Sequence, residues 1–185
     1  MIENFNVHAG EKSRERNSLL SFFRAFRYAF DGISHTLAYE RNMKVHFAAA
    51  TGIFLFEFVT RPPLFPVILT ILISTAVLGS EMVNTSVEEI VNHITGGEQL
   101  PFARIAKDAA AGAVLVLSMG ALAVGGYAVG EAMPLRCNLF TTIHVGSAVA
   151  SASALAVLGI LTVRTFFYWR KNQGCDGLSC GKPHN

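Results

Sequence analysis

Two long uncharged stretches constrain this chain more than anything else in it. Ala109 to Gly130 runs 22 residues without a charge, and Ile143 to Val163 runs 21. Each matches the roughly 20 apolar residues that a helix needs to cross the hydrocarbon layer of a membrane. In lipid, the backbone must satisfy its own N–H and C=O groups, so such a stretch has to be helical. Two shorter segments extend the pattern. Val67 to Ser80 is apolar and continues directly as a polar-striped helix, and Val45 to Val59 is apolar apart from Glu57. The reading is an all-α membrane protein with four spans. The alternative is a soluble helical protein with fully buried helices. Against it stand a charged content of only 15%, where globular chains average about 25%, and a mean hydropathy of +0.41.

Lys and Arg set the expected orientation. Residues 1–44 hold seven, the connection between spans two and three adds Arg104 and Lys107, and the C-terminal end adds Arg164, Arg170, Lys171 and Lys182; the two opposite loops hold only Arg61 and Arg136. The count of 13 against 2 is expected to place both termini of a multi-pass membrane protein in the cytoplasm. These cations suit anionic headgroups. No nucleic-acid-binding motif accompanies them, so nucleic acid is not an expected partner. No cleavable signal peptide is expected, because the N-terminal residues are polar. The cysteines are Cys137 in an external loop and Cys175 and Cys180 in the tail. Cys137 has no mate on its own side, so no structural disulfide is expected.

In chain order, the first 18 residues are polar and are expected to be disordered. Residues 18–38 read as an amphipathic surface helix, with Leu19, Leu20, Phe22, Phe23, Phe26, Phe30 and Ile33 opposed to Arg24, Arg27 and Asp31. Aromatics opposite arginines suit a helix lying on a membrane. Gly32 is expected to mark a bend, and the first span to begin near Ala38. Pro62, Pro63 and Pro66 make a short external turn. The second span runs from about Pro66 to His93 and stops at Gly96-Gly97. The third begins near Ala103. After a loop over 131–142 the fourth returns, and Phe166, Phe167, Tyr168 and Trp169 form an aromatic belt above Arg170 and Lys171. The Gly-rich tail after Asn172 is expected to be flexible.

Chemistry concentrates in one place. Glu81, Asn84, Thr85 and Glu88 recur at i, i+3, i+4 and i+7 and share one helix face. Charges at membrane depth are costly, about 3 kcal/mol at the bilayer centre on insertion scales, and persist where they face protein, metal or substrate. On the expected topology Glu40 at the start of span one, Glu81 and Glu88 late in span two, and Lys107-Asp108 at the start of span three reach similar depth. Carboxylates with few basic partners suit Mg2+, which takes one or two of them plus substrate phosphates. A lysine suits a phosphate, and a remaining carboxylate is able to accept the proton of an alcohol. Phosphoryl transfer needs little beyond positioning, charge neutralisation and such a base. The alternative is that these charges pair with one another at the membrane surface. Walker A and kinase-type Gly-rich sequences are absent.

Three stretches resemble the small prokaryotic integral-membrane lipid kinases, the diacylglycerol kinase and undecaprenol kinase family. Glu40-Arg41-Asn42-Met43-Lys44-Val45-His46 looks like the Glu-Arg-Asn…His stretch of the undecaprenol kinase branch. Glu81-Met82-Val83-Asn84-Thr85-Ser86-Val87-Glu88 looks like the family signature. Lys107-Asp108, followed by Ala-Ala-Ala-Gly-Ala-Val, is similar to the motif that opens the family's third helix. The resemblance covers about residues 20–130. It implies an amphipathic surface helix plus a three-helix membrane kinase core, to which this chain adds a fourth transmembrane helix. It also implies ATP- and Mg2+-dependent phosphorylation of a membrane lipid alcohol by a homotrimer. Carried over, Glu81 would be the general base and, with Asn84, would bind the substrate. Glu40 and Glu88 would hold metal and nucleotide, and Lys107 and Asp108 would contact nucleotide. Glu98 and Tyr28 fall where the family has an acidic and an aromatic nucleotide contact.

On that resemblance the chain divides into a disordered N-terminus (1–18), a lipid kinase domain (19–130), an external loop with an extra transmembrane helix (131–170) and a flexible cytoplasmic tail (171–185). It departs from the family at Asn92, where Asp is usual; Asn keeps hydrogen bonding and loses the charge. The Phe-Ala-Arg before Ile105 is also atypical. His144 is read as an interfacial histidine, and His46 is open between a site and a packing role. Cys175, Cys180 and His184 lack a fourth ligand for a metal clip. Undecaprenol is the first expected acceptor and diacylglycerol the second. A non-catalytic scaffold or transporter subunit is the rival from another class.

Overall fold

The computed structural model describes residues 3–98, 100–133 and 145–176. They form five helices: α1 (Glu3–Tyr39), α2 (Arg41–Thr60), α3 (Leu64–Thr95), α4 (Pro101–Glu131) and α5 (Val145–Asp176). No strand occurs among the described residues. Four segments are long and apolar enough to cross a membrane: Arg41–Thr60, Leu64–Thr95, Pro101–Glu131 and Val145–Lys171. This is the all-α architecture with an N-terminal amphipathic helix that the apolar runs imply. Cys137, His144, Cys180, His184 and most of the 131–142 loop lie outside the described residues.

The helix ends follow local chemistry. Arg61 adopts a left-handed conformation (φ 50°) after α2, and its N–H bonds to Glu57 O at 2.9 Å. Pro62 then disfavours helix for Arg61. Pro66 is tolerated in the first turn of α3, where its missing N–H would have no intrahelical partner. Gly96 (φ 60°) and Gly97 (φ 87°) close α3, and both N–H groups bond to Asn92 O; positive φ is the conformation that favours glycine there. Pro101 opens α4 at a position that suits its fixed φ.

α1 differs from the sequence reading in three ways. It starts at Glu3 rather than near residue 18. Ala9, Glu11, Lys12, Arg14, Glu15 and Arg16 are good helix formers, and extending an existing helix avoids the cost of nucleation. It passes through Gly32 without a break, with the Thr36 hydroxyl bonded to Gly32 O at 3.1 Å. The break falls instead at Glu40, whose extended backbone (φ −83°, ψ 125°) separates α1 from α2. α5 likewise continues to Asp176, past the expected end of its apolar run.

α3 is the centre of the packing. It pairs extensively with α4 and also packs on α2; α5 covers α2 and α1 and touches α3. At 1.5 Å per residue, α3 is about 48 Å long, well over the roughly 30 Å hydrocarbon layer. The end carrying Glu81 to Thr95 therefore emerges into the polar zone. α4 packs almost entirely on α3 and leaves Leu115, Val116, Met119 and Leu122 exposed. The small residues of α5 find their use inside the chain. Ser147, Ala148 and Ser151 are buried, Gly146 lies against Leu64, and Leu158 joins Ala50 and Phe54 of α2 in a buried cluster. Small side chains at such positions let helices approach closely where lipid supplies no hydrophobic drive.

Candidate active site

The break at Glu40 and the emergent end of α3 meet. Glu40 accepts Lys44 N–H at 3.3 Å through its carbonyl and donates its own N–H to Thr36 O at 2.9 Å, so its backbone serves both helices while its half-buried side chain sits at the corner. Across from it, Glu81 is only 2% exposed. The titratable side chains acting electrostatically on Glu81 are His46 of α2, Glu40 at the break before α2, and Glu88 two turns along α3. His46, left open by the sequence, thus lies within electrostatic range of the buried carboxylate.

The stripe on α3 is hydrogen-bonded along its length. Asn84 is buried and donates from Nδ2 to Glu88 Oε1 at 2.9 Å; the Thr85 hydroxyl donates to Glu81 O at 3.0 Å. Asn84 Oδ1 is buried with no hydrogen-bond partner. A buried orphan acceptor costs about 1–3 kcal/mol, and beside Glu81 it is an acceptor suited to a donor on a bound molecule. One turn further, Asn92 Oδ1 accepts from Lys107 Nζ at 2.5 Å, which ties α3 to α4. The amide at position 92 therefore keeps a bond to the lysine in the second turn of α4. Sequence reasoning had no way to pair the two, which lie 15 residues apart on different helices.

Other site candidates lie apart from this cluster. Asp108 is 3.5 Å from Arg104 Nε, with both side chains largely in solvent; exposed pairs of this kind contribute little. Glu98 is exposed in the turn between α3 and α4. Tyr28 is exposed on α1, with the Arg27 guanidinium 5.5 Å from its ring centroid.

An apolar cavity of about 600 Å³ opens beside the buried carboxylate, between α2, α3 and α4. His46 and Val77 stand at its Glu81 end; Ala49, Ser74, Ala121 and Gly125 are among the residues that line it. Its width depends on small side chains. A Cβ at Gly120, close by on α4, would come within 3.6 Å of Ile73. The run of small residues on α4 was visible in the sequence, but not which of them face α2. Among the described residues no group of three or more His, Cys, Asp or Glu side chains is arranged as a metal cage. Glu40 and Glu88 fit a different donor set. Both are half-buried, no ion pair joins them to a cation among the described residues, and two carboxylates are what Mg2+ takes when phosphates complete its shell.

Comparison with known proteins agrees with this geometry. Residues 27–129 match the family model for prokaryotic diacylglycerol kinase. The chain is 36% identical over 110 residues to the undecaprenol kinase of Bacillus subtilis, covering 60% of this chain and 89% of that protein. It is 34% identical over 102 residues to a diacylglycerol kinase of Synechocystis sp., covering 55% of this chain and 58% of that one. No solved structure matches. The chain belongs to the prokaryotic diacylglycerol kinase family, and it is a membrane lipid kinase. The matched residues take in α2, α3 and nearly all of α4, and leave α5 outside.

Proposed function

We propose that this kinase transfers the terminal phosphoryl group of ATP to a membrane lipid alcohol, with undecaprenol as the first acceptor and diacylglycerol as the second. One observation carries the reading: buried Glu81, within electrostatic range of His46, Glu40 and Glu88, lies one helical turn beyond Val77, which with His46 lines an apolar cavity. The lipid tail occupies that cavity and its hydroxyl reaches Glu81. The hydroxyl hydrogen goes to the Glu81 carboxylate as the lipid oxygen bonds to phosphorus, and ADP leaves. Asn84 Oδ1 orients the acceptor. Lys107, held by Asn92, places a positive charge by the nucleotide phosphates. Glu40 and Glu88 are the residues that would hold Mg2+, which when bound neutralises phosphate charge. Asp108, Glu98 and Tyr28 are outer nucleotide contacts.

The Glu40-Arg41-Asn42 stretch with His46 favours undecaprenol within the class, and the undecaprenol kinase relative is matched over 89% of its length. A homotrimer in the inner membrane with both termini cytoplasmic completes the reading, supported by the Lys/Arg bias and by the exposed apolar face of α4. The test is purified protein in detergent with labelled ATP, Mg2+ and a panel of lipid alcohols. Label should pass to undecaprenol faster than to diacylglycerol. Transfer to diacylglycerol alone would reverse the order of acceptors, and undiminished transfer after Mg2+ is chelated would remove the metal role of Glu40 and Glu88.

A further inference from the structure

A second cleft, of about 310 Å³, lies on the other side of α2, where the end of α1, the start of α2 and the end of α5 come together. α5 lies outside the residues that match the family, so nothing assigned to the kinase core accounts for it. Leu37 of α1 and Phe166 of α5 give it apolar walls, Lys44 of α2 reaches into it, and Thr165 and Trp169 of α5 complete it. Among the described residues no carboxylate lines it. Asp31, on the adjoining part of α1, is engaged by Arg164, whose Nη2 is 2.8 Å from Asp31 Oδ1. Lys44 has no ion-pair partner among the described residues. Thr165 Oγ1 is buried and has no hydrogen-bond partner.

These features share one depth. Phe166, Phe167, Tyr168 and Trp169 precede Arg170 and Lys171, the order of an aromatic belt followed by cations at a membrane surface. Lys44 lies one turn into α2 from Glu40, so the cleft opens in the leaflet that faces the phosphoryl-transfer cluster. Basic pockets between membrane helices at this level suit anionic lipid headgroups. A phosphate oxygen satisfies both the ammonium and the orphan hydroxyl, and the acyl chains run along the apolar wall.

We propose that the cleft between α1, α2 and α5 binds the headgroup of an anionic phospholipid, with Lys44 and Thr165 as its phosphate contacts and Trp169 against its glycerol. The lipid acts as a wedge that joins α5 to the kinase core at its surface end, where the helices leave a gap. The site is separate from the acceptor cavity, and its occupancy is read without phosphoryl transfer.

Trp169 is the chain's single tryptophan, so its fluorescence reports this cleft directly. The full-length protein is placed in bilayers of phosphatidylglycerol and phosphatidylcholine, with brominated chains on one lipid or the other. Quenching should favour brominated phosphatidylglycerol over its bulk fraction by about fivefold, the scale of one lysine at an anionic surface. Lys44→Gln should bring that preference close to one, and Thr165→Val, nearly isosteric, should lower it about twofold for a lost neutral hydrogen bond. Arg170→Gln with Lys171→Gln should leave most of it. Equal quenching by the two lipids overturns the proposal, as does a preference lost with Arg170 and Lys171 but kept without Lys44, which would mean general surface attraction. If excess inorganic phosphate removes the preference, the cleft is a free-phosphate site and the lipid assignment fails.

Discussion

Two glutamates are buried in the membrane helices, and they have opposite surroundings. Glu81 of α3 is within electrostatic range of His46, Glu40 and Glu88, one turn from the Val77 wall of an apolar cavity. Glu57 of α2 is completely buried near the Arg61 turn, and neither carboxyl oxygen has a hydrogen-bond partner. Thr70 lies beside it but spends its hydroxyl proton on Pro66 O at 3.0 Å. The first carboxylate belongs to a constellation with room for a ligand. The second has only the Thr70 hydroxyl beside it among the described residues. Burial of an acid in a membrane helix is thus a weak sign of function by itself; what converges on it decides.

The sharpest way to break this contrast is to remove each carboxylate in turn. Glu81→Gln keeps shape but cannot accept the acceptor's proton, so turnover should fall by about 10²–10⁴-fold, the usual share of a general base. The measurement is labelled phosphate transfer, with helicity and detergent oligomer size checked in parallel. Turnover near that of the parent would take the base role from Glu81.

The carboxylates around Glu81 should show a smaller and different effect. Glu40→Gln and Glu88→Gln each remove an anionic oxygen, so the Mg2+ concentration giving half the maximal rate should rise by roughly 10–100-fold, as for groups that support a metal site. Rate against Mg2+ concentration tests this. Unchanged curves in both variants would leave these residues as structural neighbours of Glu81.

Glu57 should behave in the opposite sense. Glu57→Met replaces an unpartnered polar group with an apolar one of similar volume and should stabilise the protein by about 1–3 kcal/mol. Activity should stay within about twofold, far from the general-base scale. Thermal unfolding in detergent together with the transfer assay measures both. A large loss of activity in a folded Glu57→Met protein would erase the distinction between the two glutamates.

Asp31 supplies the third case, a carboxylate with its own cation. Arg164 bonds to it and stacks 4.9 Å from the Phe30 ring centroid, but the two side chains are 45% and 37% exposed. Solvent screening holds such a pair to about 0–1 kcal/mol. Asp31→Arg and Arg164→Asp should each loosen α1 slightly, and the double reversal should restore it. Limited proteolysis between α1 and the core reads the effect. A double variant no better than the singles would mean that stacking on Phe30, rather than charge, joins α1 to α5.

Much of this molecule is legible in the order of its residues, and the illegible parts share a cause. The spans and the polar stripe from Glu81 to Glu88 follow from run length and helical period, which are local. The stops at Arg61 and Gly96 follow from proline and glycine, also local. The partnership of His46 with Glu81, the bond from Lys107 to Asn92 and the orphaned state of Glu57 were hidden, because each depends on which helix faces which. The role of Glu40 was half visible: the motif marked it, but the helix break that turns it toward α3 lies inside a sequence with no glycine or proline.

The sequence alone determined that this chain enters a membrane as four helices, because unpaired backbone groups cannot stay in hydrocarbon. It also determined that Glu81 and Glu88 share a face, since helical period admits no other arrangement. Only the tertiary structure decided which charges meet and where space remains. It packed both α2 and α4 on α3 with a cavity lined by all three, and it turned the small face of α5 inward. Helix packing in lipid has little hydrophobic preference to read from a sequence. Close fit and hydrogen bonds select the partners instead, and those exist only once the helices are assembled.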